Sequence, residues 1–306
     1  PLRREATVLV PRGMTVDQMA DLLAREGIIR NERLFKAWAR LRRLQLIRGE
    51  YTFDPRASAS DVANKLRRGD IHFTAVVLAP SMHAWSVEKR LRSFIPEDVF
   101  WKLWRSPRLA SAAGFPEAES LEGLLAPATY KLHHAMEPEE ILLMMAEAFH
   151  NHVVPELEGG PFTPYQTLIL ASLVEKETSV PAERAKVAGV YAKRLRMGMR
   201  LQCDPTSLYA RWLTGDLRFT APTPEDIHRP HPFNTYARAG LPPTPIAIPG
   251  REAIAAAKAP EVDGDLFFVA TGKGGHTFAP DLQAHNRNVR QLRKTLKARQ
   301  DGPKRS

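Results

Sequence analysis

The sequence predicts an α+β fold, with a small N-terminal unit mixing short strands and helices, followed by a larger, mainly helical region with short strands. Two observations predict it. Apolar residues recur at helical spacing through most of the chain, while the strand-like runs are brief and bounded by turn residues. The length of 306 residues, at 43% apolar and 25% charged, is that of a globular protein with room for two or three domains.

The elements follow in order. Ala6–Val10 reads as a strand. Met14, Met19, Leu22 and Leu23 then recur near helical spacing, with Gly27 where a C-terminal cap belongs. A second helix is expected over Asn31–Leu44, a short strand at Gly49–Phe53, and a third helix capped by Ser58 or Ser60 and ended by Gly69. A strand at His72–Leu78 closes this unit, so a boundary is expected near residue 72. From Ser86 to Ala113 the pattern is helical, and a loop-rich segment, SLEGLLAPATYKL, follows. We expect residues 73–135 to be a connecting subdomain and 136–306 the main domain. There, helices are expected at Pro138–His152 and Pro164–Glu177, the latter apolar almost all round and therefore buried. Another starts near Pro181 and ends at Gly198. After a Pro-rich stretch come a helix at Arg251–Ala259, a strand at Asp265–Ala270, a tight GKGG turn, a returning strand at Thr277–Phe278 and a last helix over Asp281–Arg299.

Composition narrows the function. Cys203 is the single cysteine, which excludes an intramolecular disulfide and a cysteine-based zinc cluster. The longest apolar runs are about ten residues, half of what a spanning helix needs, and no signal-peptide pattern is visible. The net charge of +10 favours a polyanionic neighbour such as nucleic acid, anionic lipid or an anionic wall polymer. Basic residues are densest from Arg287 through Arg305, which reads as the solvated face of the last helix plus a tail. No zinc-finger or RNP-like pattern accompanies them, so nucleic acid is not expected as a partner. His276 and His285 lack metal-binding spacing, so no metal is expected, and GKGG is followed by no Ser or Thr of a phosphate loop.

The segment ASLVEKET ends a long apolar helix in Glu175-Lys176-Glu177. A carboxyl at the edge of an apolar helix holds its proton more tightly, as an acid catalyst at neutral pH must. Glu175 and Glu177 lie two positions apart and face nearly opposite sides of the helix, so only one can serve a given cleft. On spacing alone both could equally be solvated charges or partners of Lys176 and Arg184.

Five runs together resemble the endolytic murein transglycosylases of the MltG/YceG-like family: Leu121–Tyr130, Ala171–Thr178, Lys193–Tyr209, Pro232–Gly250 and Leu266–Val289. The first unit is similar to that family's LysM-like module. The resemblance implies a lyase that cuts the β-1,4 bond between MurNAc and GlcNAc in nascent peptidoglycan, leaving 1,6-anhydroMurNAc ends, with no cofactor. It implies that Glu177 is the catalytic acid and base, with Glu175 in reserve. It also implies an N-terminal membrane helix in the full-length protein, a catalytic part on the periplasmic side of the inner membrane, and wall synthases as partners. Substrate contacts are expected from Glu122, Gln202, Asp204, Thr206, Asn234, Tyr236, His276 and Asn286. Bland readings stand beside several of these: a surface or capping charge for Glu122, a helix cap for Asp204, turn chemistry for Asn234–Tyr236, and a structural role for His276. Ala126, Ala128, Cys203 and Ile248 depart from the family pattern, Cys203 by replacing a small hydroxyl residue. A hydrolytic muramidase and a non-catalytic wall-binding protein are the alternatives.

Overall fold

A computed structural model describes residues 5–54, 56–218 and 221–300; the last part of the basic tail, 301–306, lies outside the described residues. The elements are β1 (Ala6–Val10), α1 (Val16–Arg25), α2 (Glu32–Leu41), β2 (Gly49–Phe53), α3 (Ala59–Arg68), β3 (Thr74–Leu78), α4 (Ala84–Leu91), α5 (Glu97–Trp104), α6 (Pro107–Ala112) and β4 (Ala128–Leu132). They continue as α7 (Pro138–His152), α8 (Pro164–Glu177), α9 (Arg184–Arg196), α10 (Asp204–Trp212), α11 (Pro224–His228), α12 (Arg251–Lys258), β5 (Phe267–Ala270), β6 (His276–Ala279) and α13 (Leu282–Gln300). The fold is α+β, its strands confined to three two-stranded sheets among the described residues. The described residues form two compact units: those within 1–77, 88–100 and 129–142 make the first, and those within 78–87, 101–128 and 143–306 the second.

In unit 1, β1 pairs antiparallel with β2, Val8 opposite Tyr51. Strand residues alternate between faces, so Val8, Val10, Tyr51 and Phe53 are buried together with Met19 and Leu23 of α1, Phe35 of α2 and Leu66 of α3. Capping boxes start α1 (Thr15 with Gln18) and α3 (Ser58 with Asp61), each satisfying amides that a helix start leaves unpaired. Unit 1 also takes in residues beyond the expected boundary. β4 pairs with β3, Arg48 forms an ion pair with Glu140, and the Phe94 ring stacks on His134 at 4.7 Å.

Unit 2 is organised on α8, whose residues Thr167 to Val174 are all buried. Small residues let its neighbours come close. Ala253, Ala256 and Ala257 of α12 are buried, and Gly189 of α9 lies against the Glu261 backbone, where no side chain has room. A buried ion pair, Arg211 to Asp226 at 2.8 Å, ties α10 to α11. β5 and β6 form an antiparallel hairpin with Ala270 opposite His276.

Several elements differ from the sequence expectation, among them the short helix α11 inside the Pro-rich stretch. The continuous helical pattern over 86–113 is three helices, because Pro96 and Pro107 each remove an amide and disfavour helical geometry in the preceding residue. The end of the loop-rich segment, Ala128–Leu132, is a strand.

Candidate active site

The site begins with how α8 ends. Thr163 caps its start through a box with Gln166, and eight consecutive buried residues carry it through unit 2. Only its last turn, Glu175-Lys176-Glu177, regains partial exposure. Thr178 then turns to extended backbone and stops the helix.

The three side chains of that turn go different ways. Glu175 accepts the Gly250 amide at 3.1 Å, at the start of α12, and lies 3.8 Å from Arg184. Lys176 reaches the Ser81 carbonyl at 3.3 Å and hydroxyl at 3.2 Å. Glu177 accepts from the Tyr191 hydroxyl at 2.8 Å and the Cys203 thiol at 3.3 Å, both on Oε2. Burial pushes its carboxyl above the ordinary glutamate range. The two hydrogen bonds and the nearby His276 pull it back and Asp204 pushes it further up, with burial prevailing. Burial also raises the Tyr191 phenol and the Cys203 thiol well above their usual values, so both keep their protons and act as donors.

Around Glu177 the expected site residues divide into a frame and a surface. Thr206 is fully buried, donates to the Cys203 carbonyl at 2.7 Å and shares a 2.8 Å bond with the Thr235 hydroxyl. Thr235 in turn receives the Cys203 amide at 3.0 Å. Asn234, also fully buried, spends its amide on the carbonyls of Asp226, Ile227 and Arg229. These groups lace the 202–206 segment to the Pro-rich 226–236 segment and leave nothing for a ligand. Glu122, 1% exposed, bonds through Oε2 to the Ala84 amide at 3.0 Å and the Tyr209 hydroxyl at 2.7 Å. Burial pushes it up to about 7.

Gln202, Asp204, Tyr236 and His276 remain at least partly exposed. Gln202 takes a positive φ of 52°, a costly backbone for a non-glycine residue. Cys203, not Asp204, stands at the cap position of α10; Asp204 is its first residue and accepts the Tyr236 hydroxyl at 2.6 Å. Asn286 is exposed on α13, and no hydrogen bond joins it to this group among the described residues.

Sequence reasoning missed three residues that build the site. Tyr191 looked like part of an apolar stripe. Glu183, just after α8, accepts both the amide and Nδ1 of His276 at 2.8 Å, fixing the hairpin tip. Arg194 is buried and holds the Leu201 and Leu266 carbonyls at 2.6 and 2.7 Å, joining the segment before Cys203 to the hairpin base. A charged residue inside an apolar helical stripe was the available signal for Arg194. No group of three or more potential metal ligands gathers among the described residues. A cavity of about 730 Å³ lies in unit 1, but its lining includes no carboxyl.

A carboxyl pushed up by burial at the end of a buried helix, held on one oxygen by two donors and flanked by partly exposed polar groups, is suited to acid–base chemistry. The chain belongs to the YceG-like family, whose model matches residues 8–291. It is 26% identical to the endolytic murein transglycosylase of Bacillus subtilis, over 91% of this chain and 82% of that protein. It is 24% identical to the protein of the same name in Streptococcus pneumoniae, over 94% of this chain but 58% of the longer relative. Its fold matches the crystal structure of a YceG-like protein from Listeria monocytogenes with a TM-score of 0.62 and 25% identity, covering 93% and 99% of the two chains.

Proposed function

We propose that this chain is an endolytic lytic transglycosylase that cuts the MurNAc–β-1,4–GlcNAc bond of nascent peptidoglycan with Glu177 as its acid and base. The observation that carries the reading is the Glu177 carboxyl itself, pushed above the ordinary glutamate range by burial and held on Oε2 by Tyr191 and Cys203. The acid gives its proton to the bridging oxygen as the glycosidic bond breaks. The carboxylate so formed takes the proton of the sugar's own C6 hydroxyl, whose oxygen closes a 1,6-anhydro ring. One carboxyl thus serves both half-steps without an attacking water, unlike the two-carboxylate glycosidases. Gln202, Asp204, Tyr236 and His276 are the groups we assign to substrate. The strand–helix–helix–strand order of β1, α1, α2 and β2 supports reading residues 1–72 as a LysM-like module. The site would work on the outer side of the inner membrane, tethered by an N-terminal helix and alongside the wall synthases.

The test is Glu177→Gln, which keeps shape and removes the proton. General acid–base groups contribute about 10²–10⁴-fold, so anhydro-ended products measured by mass spectrometry should fall at or beyond the top of that range. Glu175→Gln should cost far less. Normal product from the Glu177 variant sinks the assignment. Asp204, close enough to push the Glu177 carboxyl up, favours a hydrolytic second reading. Reducing ends in place of anhydro ends would select it.

A further inference from the structure

Four of the five tryptophans of the chain gather at one place in unit 2. Trp85, Trp101, Trp104 and Trp212, with Tyr209 and Phe233, line a cavity of about 350 Å³. They come from α4, α5, α10 and the Pro-rich segment, so no sequence window displays them together. Trp85 meets Trp101 at 5.7 Å, Tyr209 at 5.7 Å and Trp212 at 6.2 Å, in tilted or edge-on arrangements. Trp212 also packs on His83 at 4.6 Å, and Tyr209 on Phe233 at 5.0 Å. Trp85 and Trp101 stay half-buried, where rings that served only as core would close over.

The wall is built with care. Directly behind it sits Glu122, bonded to two wall residues, the Ala84 amide and the Tyr209 hydroxyl. Its other oxygen, Oε1, is buried without a partner. The amide of Leu121 donates to the Trp104 carbonyl at 2.9 Å, and the Glu122 amide to the Ser120 hydroxyl at 3.3 Å. The LEG run of the sequence therefore acts here as the back of a pocket. The mouth carries Arg105 and Glu119, both exposed, and Ser120.

We infer that this aromatic cavity is a glycan subsite, taking one pyranose ring of the strand at a distance from the cleaved bond. The inference rests on the proposed activity. The volume falls in the usual range of about 300–1,000 Å³ for ligand pockets. Aromatic faces suit the apolar C–H faces of a pyranose, and the Arg105, Glu119 and Ser120 rim suits its hydroxyl and N-acetyl groups. An isoprenoid chain would prefer walls without charge, and a polyanion would not meet Glu119. α10 connects the two places. Its N-terminus carries Cys203 and Asp204 beside Glu177, and Tyr209 and Trp212 lie further along it. Eight steps from Asp204 to Trp212 at a rise of about 1.5 Å give about 12 Å, a span measured in sugar units. A subsite there would engage a strand on one side of the bond, as cutting within a strand requires.

The test uses the full chain carrying Glu177→Gln, so that strands bind without being cut. Peptide-free glycan strands of alternating GlcNAc and MurNAc are titrated while tryptophan fluorescence and binding heat are followed. Strands should quench the fluorescence. Trp101→Ala should raise Kd about tenfold, the loss of one ring contact, whereas Trp101→Phe should keep most of the affinity. In the active background, kcat/KM on strands should fall by the same factor. An unchanged Kd in a Trp101→Ala chain with native circular dichroism overturns the subsite. Should that variant fail to fold, Arg105→Ala with Glu119→Gln at the exposed rim decides in its place, and unchanged affinity there also overturns it. Quenching by an isoprenoid alcohol but not by strands overturns it in favour of a lipid. Strands that bind with no effect of these variants sink the subsite alone, whereas strands that do not bind at all sink the activity reading with it.

Discussion

Glu177 keeps Oε2 occupied by two donors of unequal strength, which fix its geometry and partly offset the rise in proton affinity that burial imposes. A donor to a carboxylate favours the charged form, so each bond lowers the pH at which Glu177 lets its proton go. Groups acting on it come from every side: Tyr191 on α9, Cys203 and Asp204 at the start of α10, and His276 on β6. Tyr191→Phe removes the shorter bond and should raise the Glu177 carboxyl further. The acid step needs the protonated form, so the alkaline limb of the rate profile should move to higher pH, with a lower maximal rate from the looser carboxyl. Cys203→Ser replaces a weak S–H donor by a stronger O–H one and should move that limb the other way. A kcat/KM profile between about pH 5 and 9 checks both; two unmoved limbs would make these contacts packing only. The residue pattern showed a buried apolar helix ending at Glu175-Lys176-Glu177, and the family resemblance singled out Glu177. Neither pointed to Tyr191, because a phenol in an apolar stripe shows its partner only once α9 lies beside α8. The same holds for Thr206 and Asn234, whose polar groups look ligand-ready in one dimension and are consumed by neighbours in three.

Helices were legible where periodicity ran unbroken over several turns, as in α1, α7, α8 and α13. Elements that depend on a distant partner were not. Ala128–Leu132 is a strand because β3 lies fifty residues earlier in the chain, and nothing local in ATYKL announces it. Pro96 and Pro107 were visible, but the helical pattern ran across them because apolar spacing resumes on both sides. The β5–β6 hairpin shows how an element is aimed at a site. Its turn carries Gly275 at φ 78°, close against the Glu183 carboxylate that also holds His276. Gly275→Ala adds a methyl where the backbone is left-handed and the carboxylate is in the way, so the tip must move. Because the turn lies at the surface, the melting temperature should change little, while activity should drop at least tenfold as His276 leaves its place. Equal losses of activity and stability would show that the hairpin matters to the fold rather than to the site.

For the whole molecule, the buried carboxyl of Glu122 sets a pH dependence that most globular proteins show in reverse. Acids such as Asp226, held low by hydrogen bonds from Thr223 and by Arg211 against the push of burial, strengthen the folded state as pH rises through the interval between their folded and unfolded values. Glu122 is raised to about 7 from an ordinary value of 4.5, chiefly by burial. Between those values the unfolded chain releases this proton while the folded chain keeps it. Its contribution to stability is therefore fully present below about pH 4.5, declines through the interval, and is lost above pH 7. At about 1.4 kcal/mol per pH unit, the loss amounts to roughly 3 kcal/mol. Glu122→Gln keeps an oxygen for the Tyr209 hydroxyl and the Ala84 amide and removes the titration. Every other ionisable group is common to both proteins, so the difference between them isolates this one. The variant should match or fall slightly below the parent at pH 5 and exceed it at pH 8, with the two denaturation midpoints crossing between. Urea unfolding at several pH values measures it. Parallel curves would mean that Glu122 ionises in the folded protein as it does in water, and that the wall behind the aromatic cavity admits solvent.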